Sequence, residues 1–128
     1  MTSSLTQLSS FGRAINAVVV GASGGIGRSI TSQLAGMENI HRICALSRTP
    51  IESTNKVNHH FIDLEEVKSI EVAAQFAKRV FGDIQLVIVA SGLLHDKAMK
   101  PEKALRQIDK DNFARAMAVN AIGPALII

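Results

Sequence analysis

At 128 residues the chain has room for one α/β domain, and with 47% hydrophobic and 20% charged residues it is too evenly composed to be disordered. A single cysteine excludes an internal disulfide, and no stretch has the apolar length of a membrane span or a signal-peptide core, so a cytoplasmic domain without membrane contact is expected. The net charge of +3 does not amount to a nucleic-acid surface. Trp and Tyr are absent, and the densest basic group, Lys97, Lys100, Lys103, Arg106 and Lys110, is interleaved with Asp96, Glu102 and Asp109, as on a solvated face.

In chain order, residues 1–13 read as a flexible or peripheral lead into one domain spanning 1–128. A first strand is expected over 14–20 and a helix over 24–36, where Ile26, Ile30 and Leu34 recur every four residues and promise one apolar face for a sheet. Strands follow at 41–46 and 57–62. A helix from about 64 to 81 keeps its apolar positions Val67, Ile70, Ala74, Ala77 and Phe81 three or four apart and stops at Gly82. The fourth strand, 84–90, is apolar throughout, as a strand buried on both faces should be. A lysine-rich loop or short helix comes next, and a long helix runs from Asp109 or Asp111 to the end. Right-handed crossovers turn this alternation into a doubly wound parallel sheet of order 3-2-1-4, a Rossmann-like α/β fold.

Chemistry concentrates where the first strand becomes the first helix, at Gly21-Ala22-Ser23-Gly24-Gly25-Ile26-Gly27. Gly21 permits a sharp turn off the strand. Gly25, without a Cβ, lets a pyrophosphate approach the main chain, and Gly27 lets the helix lie against its strand while the helix amides point at the phosphates. Its context, after a strand and opening a helix, is what a dinucleotide site requires. A ligand-free glycine turn is the plainer alternative.

The spacing Gly21-x-x-x-Gly25-x-Gly27 resembles that of the short-chain dehydrogenase/reductase family, and further family positions follow in order. Asp63, with Leu64 behind it, matches the aspartate that meets the adenine amino group. Ala90-Ser91-Gly92 sits where the family carries Asn-Asn-Ala-Gly, with Ala90 in place of the first Asn. Asn120 matches the helix asparagine of the catalytic tetrad. Gly92-Leu93-Leu94-His95 and Val119-Asn120-Ala121-Ile122-Gly123-Pro124 are similar to the branch related to bacterial C-factor, a signalling protein.

The resemblance implies an enzyme of about 250 residues whose second half supplies a serine and a Tyr-x-x-x-Lys. This chain has no tyrosine and ends apolar, so it is expected to be the N-terminal, cofactor-binding half of a longer protein, inactive by itself. Such a piece would leave its fourth strand and last helix uncovered, which favours a homodimer through the C-terminal helix.

The cofactor expected is NADP(H) rather than NAD(H). An NAD enzyme places an acidic residue about 20 positions after the glycines, whereas here Leu46-Ser47-Arg48-Thr49 stands there. Arg48 can grip a 2′-phosphate, with Ser47 or Thr49 adding a hydroxyl. The alternative is an ordinary surface arginine. No metal is expected, since His59 and His60 are adjacent on a strand and face opposite sides. Cys44 reads as a buried small hydrophobe, His41 as a strand-start residue and His95 as an exposed loop residue. Three functions stay open: the cofactor half of an NADP-dependent oxidoreductase, a nucleotide-binding signalling protein on the same fold, and a dimer module without ligand.

Overall fold

The computed structural model describes residues 14–91 and 110–127. Four strands, β1 (Ile15–Val20), β2 (Ile40–Ser47), β3 (Val57–Phe61) and β4 (Leu86–Val89), form one sheet in the order β3-β2-β1-β4. Every pair is parallel, and Val18 faces Cys44 on one side and Val87 on the other. Helices α1 (Gly25–Ala35) and α2 (Val67–Phe81) cover the two faces.

Alternation along the strands divides the core in two. Val18, Val20, Cys44 and Leu46 pack with Ile62, Leu64, Ile70, Ala73, Ala77 and Phe81. Ile15, Ala17, Val19, Ile43 and Ala45 pack with Leu34 and Val57 on the opposite face. Cys44 is fully buried, as its neighbours Ile43 and Ala45 suggested.

The expected apolar stripe Ile26-Ile30-Leu34 of α1 holds in part: Leu34 is buried and Ile30 packs against the core, but Ile26 does not. Gly27, Thr31 and Leu34 are the buried residues, and Ile26 is 72% exposed. The cause is Gly27: it presses so closely on the end of β1 that a Cβ there would collide with the carbonyl oxygen of Gly21. That contact fixes the helix face, which turns Ile26 away from the sheet. The buried Thr31 hydroxyl is satisfied within the helix, donating to the Gly27 carbonyl at 2.7 Å. At the other end Lys56 reaches back to the carbonyls of Ala35 (3.2 Å) and Met37 (2.7 Å), placing a cation where the helix dipole is negative.

Helix α2 begins at Val67, three residues later than the apolar spacing indicated. The intervening residues are held as a turn by Asp63, whose Oδ1 accepts from the Glu65 amide (3.0 Å) and whose carbonyl accepts from the Glu66 amide (2.9 Å). Gly82 ends the helix, with φ at +69°.

Strand β4 is shorter than 84–90 and is not buried on both faces. The Gln85 amide donates to the Asn16 carbonyl (3.1 Å), but the Asn16 amide is taken by the Gln85 side chain (2.8 Å), so residue pairing with β1 starts at Leu86. Val87 is 46% exposed because β4 lies at the edge of the sheet.

The expected long C-terminal helix is interrupted. Helix α3 (Lys110–Met117) opens into a wider π-helical turn, Ala118–Ile122, before α4 (Gly123–Ile127). Pro124 has no N–H to give to the carbonyl four residues back, and the Gly123 amide donates to Ala118 instead. Gly123 itself meets the turn after β3, where a Cβ would stand 2.8 Å from the Cβ of Leu64.

Candidate functional site

At the carboxyl ends of the strands a cleft of about 230 Å³ opens. It lies where the chain order reverses, between β1 with β2 on one side and β4 on the other, the place where open α/β sheets hold ligands. Each strand end contributes. β1 and its turn bring Val20, Gly21, Ser23 and Gly24, β2 brings Ser47, Arg48 and Thr49, and the turn after β3 brings Ile62, Asp63, Leu64 and Glu65. Ala90 and Ser91 come from the end of β4, and Val119 from the π-helical turn.

Gly21 shapes the base of this cleft. Its φ is +86°, and a Cβ would stand 2.7 Å from the Ser91 amide nitrogen, so only glycine lets the ends of β1 and β4 meet here. The chain then enters α1, whose N-cap Gly24 has no side-chain cap and whose first turn holds no acidic residue. The first-turn amides of Gly25, Ile26 and Gly27 therefore keep their donors and the positive end of the dipole for an anion. A Cβ on Gly25 would meet nothing within 4 Å. At the far wall, the Ser91 hydroxyl oxygen is buried and has no hydrogen-bond partner among the described residues.

The polar groups around the end of β2 are ordered. Ser47 is buried, and its hydroxyl donates to the Thr49 carbonyl at 2.6 Å while lying 2.9 Å from His59 Nε2. Arg48, between them, is exposed at the cleft rim. His60, on the opposite face of β3, stacks on Phe76 with ring centroids 4.4 Å apart. Across the cleft the Asp63 amide donates to Ser69 Oγ (2.9 Å), which donates to the carbonyl of Asp63 (2.7 Å). Glu65 is joined to Arg115 on α3.

Of the residues singled out from sequence, Gly21, Ser23, Gly24, Ser47, Arg48, Asp63, Leu64, Ala90 and Ser91 converge on the cleft. Gly25, Ile26 and Gly27 form the adjoining first turn of α1 and do not line it. Asn120 sits exposed in the π-helical turn, where its neighbour Val119 is the residue facing the cleft. Gly92 and His95 lie outside the described residues. Sequence reasoning missed Val20, Ile62, Glu65 and Val119 as cleft residues; the first two are apolar strand-end residues with no distinguishing signal, Glu65 meets a partner 50 positions away, and Val119 stands beside the asparagine that drew attention. Among the described residues, no three or more His, Cys, Asp or Glu side chains gather as metal ligands, and no helix is long and apolar enough to cross a membrane.

The short chain dehydrogenase family model matches residues 15–128. No curated protein matches. Among solved structures, the chain is similar to a short chain dehydrogenase family protein from Francisella tularensis (18% identity, TM-score 0.75), with 88% of this chain and 43% of that chain covered. It is also similar to an NADPH-bound carbonyl reductase from chicken fatty liver (19% identity, TM-score 0.75, 90% and 46% covered). A double mutant of a Serratia marcescens short-chain dehydrogenase/reductase gives 23% identity and a TM-score of 0.74 over 88% and 48%. The chain thus spans less than half the length of these three structures. The sheet order, the glycine turn and a family match that runs from β1 through α4 agree: this chain belongs to the short-chain dehydrogenase family.

Proposed function

We propose that the cleft binds a nicotinamide dinucleotide, NADP(H) in preference to NAD(H), as the cofactor half of a cytoplasmic oxidoreductase. The observation that carries this reading is the junction of an uncapped helix N-terminus and Arg48 on a single cleft. The amides of Gly25, Ile26 and Gly27 would hold the pyrophosphate and Arg48 the 2′-phosphate, with the Thr49 hydroxyl beside it. No Asp or Glu lies between Asn39 and Ile51 to repel that phosphate. Asp63 would meet the adenine, Ser91 the nicotinamide side, and Asn120 a water in the proton relay. When bound, the nicotinamide supplies or accepts the hydride exchanged with a carbonyl or alcohol. The sequence contains no tyrosine to move the matching proton, so we expect the 128-residue chain alone to leave ketones unreduced. The NADPH-bound relative is in keeping with the cofactor assignment. The signalling reading finds no separate support in the cleft or among the relatives.

Calorimetric titration of NADPH and NADH into the wild type and Arg48→Ala tests the proposal. A charge-assisted contact predicts about a tenfold to hundredfold preference for NADPH that Arg48→Ala removes. Equal affinities in the wild type would overturn it.

A further inference from the structure

The β2–β3 loop that carries Arg48 is tied down by a side chain that does not itself line the cleft. Ser47 Oγ has two neighbours, the Thr49 carbonyl oxygen at 2.6 Å and His59 Nε2 at 2.9 Å. A hydroxyl has one proton and a carbonyl has none, so the Ser47 proton goes to Thr49. The ring nitrogen of His59 must then carry its own hydrogen and donate to Ser47. Two consequences follow. Ser47 has no donor left for a ligand, and the hydroxyl that ties Ser47, itself anchored in the β2–β3 ladder, to Thr49 across Arg48 is oriented by one imidazole.

His59 holds the loop at a second point, since its backbone amide donates to Ser53 Oγ at 3.3 Å. Farther on, Thr54 and Val57 are joined by the Thr54 amide to the Val57 carbonyl (2.9 Å) and the Val57 amide to Thr54 Oγ1 (3.2 Å). The stretch from Ser47 to Val57 is therefore fastened to β3 at its beginning, middle and end. Arg48 is exposed and has a long, rotamer-rich side chain, so most of the cost of using it for recognition is the ordering of its backbone and stem.

We infer that His59 is a specificity-positioning residue: through Ser47 and Thr49 it pre-orders the turn that presents Arg48, and so supports recognition of the 2′-phosphate without touching it. This rests on the reading of Arg48 given above. NAD(H) has no 2′-phosphate, so its affinity does not depend on the latch.

The test compares wild type, His59→Phe and His59→Gln in titrations with NADPH and NADH. Loss of one neutral hydrogen bond predicts that His59→Phe lowers NADPH affinity about threefold to tenfold and leaves NADH affinity unchanged. His59→Gln, whose amide can donate to Ser47, restores the NADPH preference. His59→Leu, which likewise has no donor for Ser47, is the second variant if His59→Phe does not fold, and it predicts the same selective loss. An unchanged NADPH-to-NADH ratio, or an equal loss for both cofactors, overturns the inference. Hydrogen–deuterium exchange of the loop in the absence of cofactor separates this inference from the cofactor assignment. Faster exchange in His59→Phe with wild-type exchange in His59→Gln supports the latch, and identical exchange in all three defeats it. A wild type without NADPH preference defeats the reading of Arg48 instead, and the exchange result then decides the latch by itself.

Discussion

Arg115 on α3 and Glu65 in the turn after β3 form a two-point ion pair, with Nε 3.0 Å from Oε1 and a terminal guanidinium nitrogen 3.4 Å from Oε2. Both side chains are about three-quarters buried, at 29% and 26% exposed. The pair joins the helix that leads into Val119 and Asn120 to the turn that presents Asp63. One wall of the cleft is thereby fixed to another.

Removing either partner should cost stability, and the two removals should not add. A charged hydrogen bond in this largely sheltered position contributes about 1–2 kcal/mol, above the range for fully exposed pairs. Urea unfolding of Glu65→Gln, Arg115→Ala and the double variant measures it. The expected result is a coupling energy of about 1 kcal/mol; strictly additive losses would show that the contact contributes nothing.

Gly21 and Gly25 should separate fold from ligand. At Gly21 an alanine must adopt φ of +86° with its Cβ 2.7 Å from the Ser91 nitrogen, so Gly21→Ala should lose about 3 kcal/mol or more. At Gly25 the Cβ meets nothing and the residue is helical, so Gly25→Ala should keep or slightly raise the melting temperature. Its dinucleotide affinity should nevertheless fall, because the methyl group occupies the approach to the first-turn amides. Parallel thermal melts and NADPH titrations of the two variants check both halves.

What the sequence made legible, and what it hid, divides by range. The strand order came from local patterns, because Val18–Val20 and Ile43–Leu46 are short apolar runs, 57–62 reads as a strand between them and the next helix, and parallel crossovers have one hand. The glycine turn was readable because its residues act on one another within seven positions. Within α1 only Ile26 was misassigned, because periodicity reports hydrophobicity and not contact: Gly27 adds nothing to an apolar count, yet it decides which side touches the sheet. The start of α2 was misplaced because hydrogen bonds of Asp63 outcompete the first helical turn. The expectation of one continuous last helix passed over Pro124, whose missing N–H goes with the π-helical interruption before it. The pairs Glu65–Arg115 and Ser47–His59 depend on tertiary placement and leave no local trace.

Cys44 gives a pH dependence with a definite sign. Burial raises its pKa from an ordinary 9.0 to about 12. The folded state therefore holds the proton where the unfolded state has released it, so this contribution is fully present below pH 9 and is lost as pH rises from 9 toward 12. Each pH unit in that window removes up to about 1.4 kcal/mol. The stability of the wild type should fall more steeply between pH 9 and 10.5 than that of Cys44→Ala, since other titrating groups are common to both. At pH 7.5 a disulfide-exchange dye should label Cys44 only after denaturant is added, and rapid native labelling would contradict the burial.

The last prediction concerns self-association, which we propose from the apolar surface of the final helices. Met117, Ile122 and Leu126 are each about half exposed, and Val87 lies open at the sheet edge. At about 25 cal/mol per Å², a few hundred Å² of such surface left in water forgoes several kcal/mol. That is a large part of the ~5–15 kcal/mol by which a domain is stable. Ala121 and Ala125 are exposed beside these residues, so two copies of the helix can approach closely about a two-fold axis, burying the same apolar patch of each copy against the other. Sedimentation velocity across the micromolar range should show a reversible dimer. Ile122→Glu places a charge at the centre of the stripe and should shift the protein to monomer without loss of helical signal. A wild type that sediments as a monodisperse monomer throughout that range would refute the dimer.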